Sequence, residues 1–160
     1  MKASLATGIA FDFSFLVSDQ KTVPRLFPES PEFQLMPKVF ATGYLVGLLE
    51  WACIAAINPH IDWPAEQSVG IAIDVSHTAA TPPGLTVRIR GKVVKVAGRK
   101  ITFFIEAEDG IDKICQGYHE RFVIDAQKFN EKAAAKASLA ASLKSPRCVE
   151  SLEPIKRHLK

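Results

Sequence analysis

The chain has 160 residues, 48% hydrophobic and 23% charged, with a net charge of +3. That length fits one domain with room for a tail, and the balance is ordinary for a soluble globular protein. The charge is uneven: residues 127–160 hold eight Lys/Arg and three Glu, while residues 1–126 hold twelve basic and fourteen acidic side chains, so nucleic-acid binding is not the expected role of the folded part.

Residues 9–17, IAFDFSFLV, alternate apolar and polar side chains and read as a first strand. Ahead of them, MKASLATG offers no continuous apolar run, and Asp12 interrupts the strand itself, so a signal peptide is not expected. Residues 23–37, VPRLFPESPEFQLMP, carry four prolines, which argue against regular structure. Leu26, Phe27, Phe33, Leu35 and Met36 are nonetheless too apolar for a solvated loop. The segment reads either as a lid over a pocket or as a loop packed on the core.

Residues 39–57, VFATGYLVGLLEWACIAAI, form the central helix, beginning somewhere between Lys38 and Gly43. Leu45, Leu48, Leu49, Ala52, Cys53 and Ala56 recur at helical spacing. Thr42 is a candidate N-cap, and Asn58-Pro59 stops the helix. The stretch approaches membrane-spanning length, but Glu50, two glycines and Thr42 favour a buried core helix over a membrane span.

Strands come next. Residues 69–77, VGIAIDVSH, put Val69, Ile71, Ile73, Val75 and His77 on one face by the period of two. Residues 85–96 form another strand, whose phase slips at Val93-Val94, the mark of a bulge. Residues 101–108 return, Asp109-Gly110 turns the chain, and residues 114–125 complete the set. The tail from Gln127 opens with FNEKAAAKASLAASLK, of high helix propensity, and SPRCVESLEPIKRHLK then reads as loosely ordered. The order β-α-β-β-β-β predicts an α+β fold, an antiparallel sheet wrapped around one helix. An open sheet edge makes pairing with a second copy the expectation.

Glu50 is the one formally charged residue in residues 39–57. An unpaired carboxylate in apolar surroundings costs several kcal/mol, so a partner, a raised pKa or a water-lined pocket must offset it. Glu50 is therefore the first candidate for nucleophile or general base, with a rim position or a buried ion pair as the bland alternative. His77, on the expected core-facing side of its strand, is the candidate partner, and the two relieve each other's burial cost if they meet. Thr42 lies eight positions before Glu50, about 12 Å along a continuous helix. Direct contact therefore needs either a helix that starts after Gly43 or a meeting across a dimer interface, the preferred arrangement. Gly43 and Gly47 permit close approach to the helix start, where free backbone N–H groups can polarise a carbonyl. His119 and Arg121 share a face of the last strand, where either can touch an anionic group; a salt bridge with an acidic neighbour is the bland alternative, better suited to Arg121. Cys53, Cys115 and Cys148 form no CxxC pair, which fits a reducing compartment, hence the cytoplasm. No metal-ligand cluster, Walker loop or GxSxG elbow is present.

The segments KTVPRLFPESPEF, PKVFATGYLVGLLEWAC, VSHTAATPPGLTV and DGIDKICQGYHERFVID, with the KFN just after, closely resemble hotdog-fold thioesterases related to fluoroacetyl-CoA thioesterase. The resemblance spans roughly residues 11–130. It implies a homodimeric hotdog domain over 1–130, a basic, partly helical tail over 131–160, and hydrolysis of a short-chain acyl-CoA thioester. Coenzyme A enters as part of the substrate, with no separate cofactor, metal, nucleic acid or membrane partner. It implies Thr42, Glu50 and His77 as the catalytic set, with Phe33, Met36, Gly70 and Arg121 at the substrate, where Gly43 of the helix start is also expected. An aromatic residue is expected where this chain has Met36, so thioester hydrolysis is implied more strongly than selectivity for the fluoroacetyl group. A non-catalytic acyl-CoA binder and an enoyl-CoA hydratase are the alternatives on the same fold.

Overall fold

A computed structural model of the chain describes residues 1–143. The described residues divide into two units, Met1–Asp125 and a second that begins at Ala126. In the first, the strands β1 (Ala10–Leu16), β2 (Glu66–Val75), β3 (Thr86–Ala97), β4 (Lys100–Glu108) and β5 (Lys113–Asp125) form one antiparallel sheet in the order β1-β3-β4-β5-β2. Three helices precede β2: α1 (Val23–Leu26), α2 (Pro31–Gln34) and the long α3 (Thr42–Ile57). In the second unit, α4 (Ala126–Leu143) is an alanine-rich helix with no buried residue. The segment expected to be loosely ordered, residues 145–160, lies outside the described residues, as does Cys148.

α3 lies against one face of the sheet because its apolar stripe demands it. Leu45, Leu48, Leu49, Ala52, Cys53 and Ile57 are buried, at the i, i+3, i+4 spacing of one helical face. They join Val87, Ile89, Val93, Ile101, Phe103 and Ile105 in a single core. The opposite sheet face is charged, with Asp12–Arg88, Arg90–Glu108, Glu106–Lys113 and Lys100–Glu120 paired across strands. Such exposed pairs add little stability, but they mark the solvent side.

The structure corrects the expected proline-rich loop. α1 and α2 are single turns, with Pro24 and Pro31 in their first turns. There the missing N–H costs nothing and the fixed φ suits the helix. The Ser30 hydroxyl accepts from the Phe33 N–H and caps the second turn. Phe27 and Phe33 stack edge to face at 5.1 Å.

A second correction concerns β2. A bulge between Gly70 and Ala72 breaks the alternation, so Val69, Ile71, Ile73 and Val75 do not share one face. Gly70 pairs with Arg121, and Ile73 with His119. Gly70, rather than Val69, therefore lies on the helix side. The phase slip read at Val93-Val94 is present as a register shift between Val93 and Lys95.

Candidate active site

The start of α3 faces the loop after β2. The N-cap is Ala41, not Thr42; its carbonyl accepts the first helical bond, from Leu45 N–H, at 2.9 Å. Thr42 is thus the first helical residue, and its hydroxyl is free to do something other than cap. It lies 2.9 Å from His77 Nδ1. The N–H groups of Thr42, Gly43 and Tyr44 have no partner within the helix, as in any first turn.

The His77 loop is held from two directions. Thr78 N–H donates to Ile114 O at 2.9 Å, and the Phe40 N–H, just before α3, donates to Thr81 O at 2.8 Å. The buried Thr81 hydroxyl donates to the buried Asp109 carboxylate at 2.8 Å. Asp109 also accepts from the N–H groups of Ile111 and Asp112. One threonine therefore ties the helix start, the histidine loop and the β4–β5 turn together. Burial lowers the His77 pKa below its ordinary 6.5, so the ring is neutral at pH 7. Its Nε2 is buried and has no hydrogen-bond partner among the described residues.

Glu50 lies two helical turns further along. Because α3 runs unbroken from Thr42 to Ile57, the two side chains start about 12 Å apart along the axis. Thr42 does not fold back toward Glu50. Within one chain Glu50 does not pair with His77 either, nor is it stranded in apolar surroundings. Its side chain is 40% exposed, and Oε1 lies 3.2 Å from Arg121 Nη1 and 3.8 Å from His119 Nε2. A cationic partner offsets the carboxylate's burial. Arg121 is itself buried, and its Nε and Nη2 donate to Ser68 Oγ and Ser68 O at 3.0 and 2.6 Å.

Gly70 is what lets Glu50 lie there. A Cβ at that position would stand 2.1 Å from Glu50 Oε1, well inside contact distance. Gly43 serves a different contact. Its missing Cβ admits the Leu26 side chain of α1, while Tyr44 Oη donates to Arg25 O at 3.1 Å. The α1–α2 segment is thereby fastened over the helix start. Phe33 is half-buried there, whereas Met36 is exposed. Gly47 lines a cavity of about 270 Å³ with Phe15, Phe40, Tyr44, Leu48, Trp51 and Lys21; Thr42, Glu50 and His77 are not among its walls.

The candidate residues thus form two clusters, Thr42–His77 and Glu50–Arg121–His119. The first is a hydroxyl on an imidazole, the pairing that makes a hydroxyl reactive. The second is a carboxylate oriented by a buried guanidinium. His119 was read from the sequence as sharing a face with Arg121, either one able to touch an anionic group; its burial behind the Glu50 carboxylate required the β2–β5 register. Among the described residues no group of three or more His, Cys, Asp or Glu side chains is placed to hold a metal ion. No described helix is long and apolar enough to cross a membrane.

Comparison with known proteins identifies the family. The family model described as fluoroacetyl-CoA-specific thioesterase matches residues 17–127. The fluoroacetyl-CoA thioesterase of Streptantibioticus cattleyicolor is 50% identical over 136 residues, covering 85% of this chain and 97% of that protein. A solved structure of the fluoroacetyl-CoA thioesterase FlK superposes with a TM-score of 0.81 at 50% identity, over 83% of this chain and 98% of that one. A variant of the same enzyme, in complex with fluoroacetate and CoA, gives a TM-score of 0.76 at 50% identity, over 78% and 99% of the two chains. The chain belongs to the fluoroacetyl-CoA-specific thioesterase family of hotdog-fold thioester hydrolases.

Proposed function

We propose that the protein hydrolyses a short-chain acyl-CoA thioester to the free acid and CoA, using Thr42, Glu50 and His77. The observation that carries this reading is the 2.9 Å contact between Thr42 Oγ1 and a neutral His77 whose Nε2 is buried without a partner among the described residues. A hydroxyl held on a neutral imidazole is placed to pass a proton. The continuous α3 separates Thr42 from its own Glu50, so the carboxylate that works with this pair comes from a second copy. The active unit is then a homodimer, with Thr42 and His77 from one copy facing Glu50 from the other. The open edge of β2, where Ile71 and Ile73 are 50% and 38% exposed, supports such an association.

In the reaction, Glu50 delivers oxygen to the thioester carbonyl carbon, either as its own carboxylate oxygen or as that of a water it deprotonates. The carbonyl oxygen gains charge and is met by N–H groups of the first turn of α3. The C–S bond breaks, the CoA thiolate takes a proton through His77, and on the direct route water then hydrolyses the acyl–Glu50 anhydride to the free acid and the Glu50 carboxylate. The net change is thioester plus water to acid plus thiol, which needs no further cofactor. Phe33, Met36 and Gly43 bound the acyl group from the lid side, and Gly70 and Arg121 from the Glu50 side. The thioether of Met36 closes a pocket less sharply than a ring, so acetyl-CoA and fluoroacetyl-CoA are both expected substrates. Residues 1–130 carry this activity, with 131–160 as a basic appendage. The buried free thiols Cys53 and Cys115 support a cytoplasmic location.

The test is thiol release from a panel of acyl-CoAs, including acetyl-CoA and fluoroacetyl-CoA, by the wild-type protein and Glu50→Gln. Wild-type turnover and a loss of orders of magnitude in the variant are expected. Hydrolysis at the wild-type rate by Glu50→Gln rules the mechanism out. Absence of thiol release with every acyl-CoA would point to a non-catalytic binder. Incorporation of ¹⁸O from labelled water into Glu50 itself separates direct attack from water activation.

A further inference from the structure

We infer that His119 is a positioning residue for this reaction: its Nε2 lone pair fixes the Arg121 guanidinium so that Nη1 faces the Glu50 carboxylate. The inference rests on the role given to Glu50 above.

Two bonds define the ring. Its Nδ1 lies 2.9 Å from Ala72 O. A carbonyl oxygen only accepts, so Nδ1 carries the proton. Its Nε2 lies 3.1 Å from Arg121 Nη1. A guanidinium only donates, so Nε2 must present its lone pair. The neutral Nδ1–H tautomer alone satisfies both. The ring is 2% exposed and stacks on Phe103 at 6.4 Å and 26°, so it has no room to turn away.

Arg121 Nη1 therefore has one hydrogen for each of two acceptors, His119 Nε2 at 3.1 Å and Glu50 Oε1 at 3.2 Å. Ser68 holds the other edge of the guanidinium. Remove the Nε2 acceptor and one buried Nη1 hydrogen loses its partner. The cheapest relief is rotation of the guanidinium, which moves the point on which Glu50 is anchored. A protonated ring would set N–H against N–H. Burial, and next the Arg121 cation, oppose that protonation, although the Ala72 carbonyl and Glu50 favour it. Cys53 on α3 also faces the Arg121–Glu50 pair, and burial keeps its thiol uncharged.

The experiment compares His119→Gln, whose amide oxygen can replace Nε2 as acceptor, with His119→Met, which fills the space without one. Both are made in the wild-type and Arg121→Ala backgrounds, and thiol release is measured. With Arg121 present, His119→Met should lose about tenfold or more in kcat with KM within about twofold, while His119→Gln stays within about threefold of wild type. With Arg121 absent, the two variants should be equal. An unimpaired His119→Met, or the same Met-to-Gln ratio in both backgrounds, overturns the inference in favour of a merely structural ring. Nitrogen-15 NMR of the wild-type ring gives a reading that needs no variant to fold. A protonated Nδ1 and bare Nε2 at pH 7 are expected, and an Nε2–H tautomer overturns the inference. An active Glu50→Gln would sink the reading of the reaction while leaving the measured tautomer unaffected, so the two failures are distinct.

Discussion

Replacing Gly70 by alanine should cripple catalysis in a protein that still folds. The added Cβ would stand 2.1 Å from Glu50 Oε1 and 3.2 Å from His119 Cε1. Ordinary contact between carbon and oxygen is about 3.3 Å, so the carboxylate must retreat by about 1 Å. His119 is packed and cannot yield, but Glu50 is 40% exposed and can swing toward solvent. Its bond to Arg121 Nη1 is then lost. Arg121 is buried, so the Nη1 hydrogen left without its acceptor costs about 1–3 kcal/mol. The smaller conformational entropy of unfolded alanine returns about 0.5 kcal/mol. Urea unfolding should therefore show a net loss of about 0.5–2.5 kcal/mol with the protein still folded. Displacing the reacting carboxylate by about 1 Å, by contrast, should lower kcat about 100-fold. Thiol release and urea unfolding on the same preparation test both halves. Wild-type kcat in Gly70→Ala, or a kcat loss explained by several kcal/mol of destabilisation, would refute the reasoning.

Thr81→Val should destabilise the protein by about 1–3 kcal/mol in urea unfolding, because it strips a donor from the buried Asp109 carboxylate; an unchanged midpoint contradicts the strut assigned to Thr81. His77 and His119 both have pKa values held below 6.5, chiefly by burial. Below about pH 6.5 the unfolded chain binds protons that the folded chain resists, so these groups leave stability flat above that pH and lower it on acidification. His119→Gln should show a shallower acid decline, and an unchanged decline contradicts the assignment. Burial raises the thiol of Cys53 to about 12 and that of Cys115 to about 11. Neither should react with iodoacetamide at pH 8 until urea unfolds the protein, as read by peptide mass mapping; alkylation in the native state contradicts their burial.

The helix was legible because Leu45, Leu48, Leu49, Ala52 and Cys53 repeat at a spacing that only one face of a helix satisfies. The strands were legible from alternation and from Asp109-Gly110. The face that β2 turns to α3 was not, because a bulge adds one residue without disturbing the run of Val and Ile. Gly70 was the available sign, since glycine inside a strand marks a bulge or a close approach. The partner of Glu50 was hidden for a similar reason: Arg121 lies 71 residues away and reaches it only through the β2–β5 register. Thr42 was a candidate N-cap as well as a candidate catalytic residue because its chemistry suits both; Ala41 takes the cap position, and the Thr42 hydroxyl lies against His77. The prolines of α1 and α2 read as breakers, when their position in a first turn made them starters.

Whether the two clusters meet across copies is decided by mixing two crippled proteins. Thr42→Ala and Glu50→Gln are each purified, combined under subunit-exchange conditions and assayed for thiol release. If Thr42 and His77 of one copy work with Glu50 of the other, half the dimers become mixed and each regains one intact site, restoring about one quarter of the wild-type rate. A mixture no more active than its two components contradicts the shared site.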